Sequence, residues 1–193
     1  MIWPFEKYER FLEELESIFA EMDANYENVA DRYGFHCSGC EDNCCLTRFY
    51  HHTWLEYLYL LQGFSEFDVQ KREALKKQAE IVIREMACAE KENQAIRVMC
   101  PLNEDGLCIL YRFRPMICRL HGIAHELHPP GRNTVYGPGC DAFTKQTAGK
   151  DYICFDRTPF YSKMAGLESK LKQELGIRDK IKMTVAEMIK DFS

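Results

Sequence analysis

Apolar residues recur in steps of three and four along the first segment of the chain, which is the spacing of one face of an α-helix. The positions are Phe5, Tyr8, Leu12, Leu15, Phe19, Met22, Tyr26, Val29 and Tyr33. Pro4 suits a first helical turn and Gly34 suits a helix end. The stripe must pack against another long element or a second subunit, and its aromatic content favours packing within the same chain. We therefore expect a long amino-terminal helix, with a protein partner or a homodimer as the alternative use of its apolar face.

Capping signals followed by helical periodicity predict two helices in the middle of the chain. Thr53 and Glu56 have the spacing of a capping box, and Gly63 is a predicted stop. Ser65 and Asp68 open a second helix. Its apolar stripe comprises Leu75, Ala79, Val82, Met86 and Ala89.

Two further helices are predicted near the carboxyl end. Thr158–Pro159 begins one that ends near Gly176. Its apolar face comprises Phe160, Met164, Leu167, Leu171 and Leu175. Thr184 and Glu187 form a second capping box before a short final helix.

The stretches between these helices are irregular. We predict a turn over Asn103–Gly106, and a loop or short hairpin where prolines and glycines punctuate residues 127–140. The predicted fold class is mainly α, with helices packed around irregular cysteine-rich metal-binding loops and little strand. We expect a single domain over residues 1–193, in which a cysteine-rich metal-binding region, 37–140, is flanked by amino-terminal and carboxy-terminal helices.

Charge and hydropathy indicate which partners and which cellular compartment to expect. The net charge of −5 comes from well-mixed acidic and basic residues, which argues against a nucleic-acid partner or a basic membrane anchor. Apolar runs are far too short for a membrane-spanning helix, and the acidic, amphipathic start does not resemble a secretory signal. We therefore expect a cytoplasmic protein with no membrane contact.

Ten cysteines are the strongest chemical signal in the sequence. Clustered cysteines in a reducing compartment more often bind metal or do redox chemistry than form disulfides. Cys88 and Cys154 stand apart from the others and are predicted to be small core residues. The remaining eight are the candidate metal ligands: Cys37, Cys40, Cys44, Cys45, Cys100, Cys108, Cys118 and Cys140.

The spacing of these eight cysteines suggests two centres. Cys37 and Cys40 have the separation that lets two thiolates close on one metal. The side chains of the adjacent Cys44 and Cys45 point in different directions in a strand or a helix, so they serve a single tetrahedral centre poorly. They more naturally serve two centres, or one binds a metal while the other supports it. Two sites of four ligands, each drawing on both halves of the chain, fit this geometry. Both zinc and iron–sulfur clusters accept four thiolates.

Basic residues and histidines lie close to these cysteines in the sequence. Arg114 and Arg119, with Arg112, flank Cys108 and Cys118, where they could offset the negative charge of a thiolate-bound cofactor. Ordinary surface charge is an equally good interpretation of these arginines.

The histidines are weaker candidates. His121, His125 and His128 would share one face if their segment were helical, but the nearby prolines and Gly122 oppose a helix. His36, next to Cys37, is the most plausible substitute ligand. No hydrolase, Walker or dinucleotide-binding motif is present in the sequence, so the catalytic residues are unknown.

The ordered cysteine pattern resembles the YkgJ-like family of zinc- or iron-chelating CxxCxxCC proteins. The matching residues are Cys100-Pro101, Cys108-Ile109, Tyr111, Arg114-Pro115 and Cys118-Arg119, preceded by the Cys37 to Cys45 block. This chain departs by one extra residue before Cys44 and by Leu110 between Ile109 and Tyr111. The resemblance implies metal binding through the matching cysteines. A flagellin lysine methylase that looks similar in this region is associated with an iron–sulfur cluster, so the resemblance also allows a redox or protein-modifying activity.

Three functions are compatible with these observations. The favoured one is an iron–sulfur protein, for example with a 4Fe-4S cluster, acting in electron transfer or protein modification; if it is an enzyme, it is an oxidoreductase or a protein-modifying enzyme. The second is a zinc-stabilised protein-interaction module without catalysis. The third is a metal-handling or metal-sensing protein.

Overall fold

The computed structural model describes residues 7–37 and 44–192. The α-helices in this part are α1 (Glu9–Tyr33), α2 (Trp54–Ser65), α3 (Val69–Lys91), α4 (Met116–Leu120), α5 (Asp141–Gln146), α6 (Thr158–Leu175) and α7 (Val185–Lys190). Short 3-10 helices cover Cys44–Leu46 and Tyr111–Phe113. The strands are β1 (Asn103–Glu104), β2 (Leu107–Cys108), β3 (His125–Leu127) and β4 (Val135–Gly137). The prediction of a mainly α fold with little strand is confirmed.

The chain divides into two compact units. The first unit contains residues 7–12, 44–118 and 178–192, and the second contains residues 13–37 and 119–177. The expectation of one domain over residues 1–193 stays a prediction.

Helix α2 forms the apolar centre of the first unit. Most of its residues are buried, and it packs with α7 and with the 3-10 helix Tyr111–Phe113, while α3 packs with α7. Phe64 of α2 meets Phe192, which follows α7, edge to face, with ring centroids 5.3 Å apart. Such aromatic pairs add to the free energy gained from burial. The predicted stripe of α3 is buried at Leu75, Ala79 and Val82, but not at Met86 and Ala89.

Helix α1 packs along the second unit over most of its length. Its stripe is buried at Leu12, Leu15, Phe19, Met22, Val29 and Tyr33, which confirms packing within the same chain. Tyr33 lies edge to face with Phe143 of α5, and Lys170 of α6 lies 3.3 Å from Glu14. Gly34 ends the helix at φ 59°, a left-handed conformation that favours glycine. Pro4 and Phe5, at the predicted start, lie outside the described residues.

The local signals of the other helices are mostly confirmed. Thr53 caps α2, Asp68 caps α3, and Thr184 with Glu187 forms a complete capping box at α7. Gly176 ends α6 at φ 67°. Residues 125–137 form the expected hairpin, in which β3 and β4 are antiparallel.

One predicted boundary is wrong. Gly63 does not end α2 but lies inside it, because the helix continues to Ser65. A Cβ atom at Gly63 would come within 2.2 Å of the Phe113 ring. The glycine therefore provides room for a close approach between α2 and the 3-10 helix Tyr111–Phe113.

In the described ranges, no helix has both the length and the apolar character needed to cross a membrane.

Candidate metal centre

A tight hairpin brings Cys100 and Cys108 together in the first unit. Strands β1 and β2 are joined by Asp105 and Gly106, whose φ angles of 51° and 86° are both positive, as the mirror-image turns of two-residue hairpins require. Asn103 pairs with Cys108 across the hairpin, and its backbone N–H donates to the carbonyl of Cys100 at 3.0 Å. The predicted turn is confirmed, and it closes the seven-residue gap between these cysteines.

The backbone also joins Cys45 to this hairpin. The Cys100 N–H donates to the Cys45 carbonyl at 2.9 Å, and Thr47 forms an antiparallel bridge with Arg97 nearby. Cys45 lies in the 3-10 helix Cys44–Leu46. Two cysteine blocks separated by more than fifty residues are therefore in direct contact.

Cys118 reaches the same place from the short helix α4. Its thiol is buried, which raises its pKa well above the ordinary range, and the neighbouring thiols of Cys100, Cys108 and Cys45 raise the pKa further. Burial also raises the pKa of Cys100, to about 12, and that of Cys108. Every pair among these four thiols is close enough for one to influence the pKa of the other. We call Cys45, Cys100, Cys108 and Cys118 the cysteine centre.

Cys45 differs from the other three members of the cysteine centre. A hydrogen bond from the Cys44 side chain lowers the pKa of Cys45 to about 6, and the Asn103 amide and the Arg114 charge act in the same direction. Cys44 is thus the immediate neighbour of a member of the centre. Although Cys44 and Cys45 are adjacent in the sequence, Cys45 is a member of the centre and Cys44 is its hydrogen-bond donor.

Two donors lie beside the cysteine centre. Asn103 Oδ1 accepts from the Gly106 N–H at 3.1 Å, and the side-chain amide of Asn103 lowers the pKa of Cys45 by hydrogen bonding to it. Arg114 lies 3.5 Å above the Tyr111 ring and lowers the pKa values of Cys45, Cys108 and Cys118.

Within residues 7–37 and 44–192, no group of three or more His, Cys, Asp or Glu side chains is positioned to hold a metal ion. The four thiols of the cysteine centre are nevertheless close enough to influence one another's pKa.

Cys37 and Cys140, two of the remaining candidate ligands, belong to the second unit, and Cys40 lies outside the described residues. Cys37 is exposed, whereas the Cys140 sulfur caps α5 by accepting from the Phe143 N–H at 3.3 Å. Arg119 is also in the second unit, where it donates to Asp23 Oδ2 at 2.5 Å and covers the Phe19 ring.

The predictions for Cys88 and Cys154 are wrong, because both residues are exposed. Cys88 is on the outer side of α3. The Cys154 thiol donates to Glu126 Oε1 at 2.5 Å, and that hydrogen bond raises the pKa of Cys154. His128 Nε2 lies 3.6 Å from the same carboxylate oxygen.

The histidine segment is not helical, as the glycine and proline signals indicated. His125 is on β3, where burial lowers its pKa, and His128 is exposed. His36 is exposed next to Cys37.

The surface near the cysteine centre includes apolar side chains. Leu107, next to Cys108, is 71% exposed, and Tyr111 is 60% exposed. A cavity of about 290 Å³ adjoins Cys100 between α3 and the segment 99–104, with Lys71 and Gln78 in its lining. Part of the centre's surroundings is therefore open to a partner.

Comparison of the chain with protein-family models, with characterised proteins and with solved structures finds no significant match.

Sequence reasoning missed Asn103 as a donor at the cysteine centre. It did offer a supporting role for one of the adjacent Cys44 and Cys45, without indicating which one. Asn103 precedes an Asp-Gly pair, a signal that places an asparagine in a turn and directs one end of its amide to the backbone. That signal predicts the turn, but it does not indicate that the Asn103 amide will lie beside the Cys45 thiol.

Proposed function

We propose that this chain is a cytoplasmic metal-binding protein whose cysteine centre holds an iron–sulfur cluster used in redox or protein-modification chemistry. The observation that carries the proposal is the convergence of Cys45, Cys100, Cys108 and Cys118 from three separate elements. Four thiolates are the usual ligand set of such clusters. The resemblance to the YkgJ-like family, carried by the same cysteines, supports the proposal.

The buried thiols of the cysteine centre fit a cationic occupant. Metal ligands must be deprotonated, so binding releases protons from the cysteines. Burial raises the pKa of Cys100 to about 12, so this thiol keeps its proton at neutral pH until a cation displaces it. At neutral pH Cys45, with a pKa of about 6, is already a thiolate, and Cys100 loses its proton when a cation binds.

Arg114 and Asn103 are the residues that would offset that negative charge. The Arg114 guanidinium is already close enough to lower the pKa values of three members of the centre. The Asn103 amide already lowers the pKa of Cys45 by hydrogen bonding to it, so this amide can donate to sulfur. Hydrogen bonds to sulfur and nearby charge set the reduction potential of iron–sulfur clusters, so these two side chains would tune the electron transfer that a bound cluster supplies.

The second candidate function is a zinc-stabilised protein-interaction module. Leu107 and Tyr111, exposed beside the cysteine centre, favour a protein partner, and four thiolates bind zinc equally well. In this case the metal stabilises the hairpin and the partner binds nearby. A partner or homodimer through α1, and ligand roles for Cys37, Cys40, Cys44, Cys140 and Arg119, stay predictions.

Metal analysis and electron paramagnetic resonance of anaerobically purified protein test the proposal. We expect a coloured protein that contains iron and acid-labile sulfide and gives a paramagnetic signal after reduction. Cys108→Ser should lower the metal content strongly, whereas Cys88→Ser, at an exposed cysteine on α3, should leave it unchanged. A colourless protein with stoichiometric zinc would contradict the cluster and support the zinc module. Protein without bound metal in either form, even after reconstitution, would contradict both functions.

A further inference from the structure

Glu56 is a buried residue of α2, and its carboxylate bonds α4, the helix that contains Cys118. It is 5% exposed, and its Oε1 accepts from the Met116 N–H at 3.0 Å. Met116 is the first residue of α4, and Cys118 follows two positions later. Oε2 of the same carboxylate accepts from the Thr53 hydroxyl at 2.7 Å. One side chain therefore links the start of α2 to the start of the cysteine-bearing helix.

The same sequence motif behaves differently at α7. There Glu187 Oε2 accepts from the Thr184 backbone N–H at 2.6 Å, which completes a capping box within one turn. At α2, Thr53 accepts from the Glu56 N–H at 3.2 Å, but the Glu56 carboxylate bonds the backbone of Met116 instead. The Glu56 carboxylate therefore accepts a hydrogen bond from α4, whereas in a complete capping box it would accept one from the N-cap residue of its own helix.

Helix α4 needs such an outside contact. It has five residues, too few for a helix to be stable in isolation. Its first N–H groups have no partners within the helix, and the carboxylate satisfies one of them with a charge-assisted bond. Because Cys118 is one helical turn or less from that bond, its position depends on where the bond holds the helix.

The surroundings of Glu56 favour the charged form of the carboxylate. Burial alone raises the pKa of Glu56, but the nearby His51 and the hydrogen bonds from Thr53 and Met116 outweigh it, so the pKa is lowered. His51 Nδ1 lies 3.6 Å from Glu56 Oε1, and both ring nitrogens of this buried histidine have no hydrogen-bond partner. The His51 backbone is held in turn by a bridge to Met183.

We propose that Glu56 is a positioning residue for the cysteine centre: its carboxylate fixes the start of α4 and thereby holds the Cys118 thiol next to Cys45, Cys100 and Cys108. The inference rests on the proposed function for its biological meaning. The positioning role itself concerns only the Cys118 thiol, so it can be tested separately from metal binding.

The experiment measures the alkylation rate of each cysteine in metal-free, reduced protein by mass spectrometry. Glu56→Ala removes the acceptor of the Met116 N–H, and Glu56→Gln keeps a weaker, uncharged one. Glu187→Ala is the matched control, because it removes the equivalent glutamate of the α7 box in the same unit, whose carboxylate bonds Thr184. General loosening of the fold would raise the alkylation rates of both Cys118 and Cys108, so the ratio of the two rates reports a change specific to Cys118.

We expect this ratio to rise by about tenfold or more in Glu56→Ala, since loss of a bond to a charged acceptor changes an opening equilibrium by at least that factor. The ratio should rise less in Glu56→Gln and stay at the wild-type value in Glu187→Ala. Where metal binds, its content should fall in the same order.

An unchanged ratio in both Glu56 variants, or an equal rise in Glu187→Ala, would overturn the positioning role. If Glu56→Ala does not fold, Glu56→Gln against Glu187→Ala decides the question. If wild-type protein binds no metal, the proposed function fails, yet the alkylation ratio still decides whether Glu56 positions Cys118.

Discussion

Adjacent cysteines cannot present their thiols in the same direction, and Cys44 and Cys45 illustrate the consequence. Cys45 belongs to the cysteine centre, whereas Cys44 donates a hydrogen bond to it and lowers its pKa to about 6. The sequence allowed the two residues to serve two centres, or one of them to support the other. It did not indicate which of the two thiols would be the supporting one.

At the same scale, Cys154 shows how a carboxylate controls an exposed thiol. Its hydrogen bond to Glu126 stabilises the protonated form and raises its pKa above the ordinary value of 9.0. Alkylation requires the thiolate, so at a pH below 9 Cys154 should react more slowly than the exposed Cys88. We expect the midpoint of its rate-against-pH curve to lie above 9.0.

Glu126→Gln should move that midpoint of Cys154 downward, because the amide carries no negative charge and no longer disfavours the thiolate. Cys88 in the same protein is the internal control, measured by mass spectrometry of the alkylated peptides. If the Cys154 curve is the same in wild type and Glu126→Gln, the carboxylate does not control this thiol.

At the scale of single elements, local signals predicted most of the secondary structure. The caps at Thr53, Asp68 and Thr184, and the end at Gly176, depend on hydrogen bonds within one helical turn, so the sequence nearby contains the necessary information. Gly63 was misinterpreted because its role is set by Phe113, fifty positions away. A glycine required by packing looks the same in the sequence as one that ends a helix.

The β1–β2 hairpin provides a test at this scale. Gly106 has φ 86°, so Gly106→Ala forces an alanine into a left-handed conformation, and we expect the free energy of unfolding to fall by about 1–2 kcal/mol. No heavy atom lies within 4 Å of the Cβ position, so the cost comes from the backbone alone. Denaturant unfolding measures the change.

Gly166→Ala is the matched control for Gly106→Ala. Gly166 is in the interior of α6, where a Cβ atom also meets no neighbour within 4 Å, so alanine should stabilise the helix by about 0.5–1 kcal/mol. Opposite signs for the two substitutions are expected. A neutral or stabilising Gly106→Ala would contradict the left-handed conformation of Gly106 in the hairpin turn.

At the scale of the whole molecule, the cysteine centre and the long helix α6 belong to different compact units. The segment 100–118 has little regular structure, so ligands that bind its thiols would contribute directly to its stability. If the chain holds the proposed metal, stripping it should therefore increase amide hydrogen exchange in 100–118 while α6 keeps its protection. Hydrogen-exchange mass spectrometry of loaded and stripped protein measures both regions together, and equal changes in the two would show that the metal does not stabilise the first unit locally.

Short-range patterns in the sequence predicted the helices, most of their caps and the hairpin turn, because periodicity and capping act over a few residues. Tertiary structure alone decided which thiols meet. Cys45, Cys100, Cys108 and Cys118 come together through a hydrogen bond between distant backbones, a hairpin and a short helix held by Glu56. It also decided that Cys88 and Cys154 are exposed, since a short apolar run in the sequence does not reveal which of its faces the rest of the chain will cover.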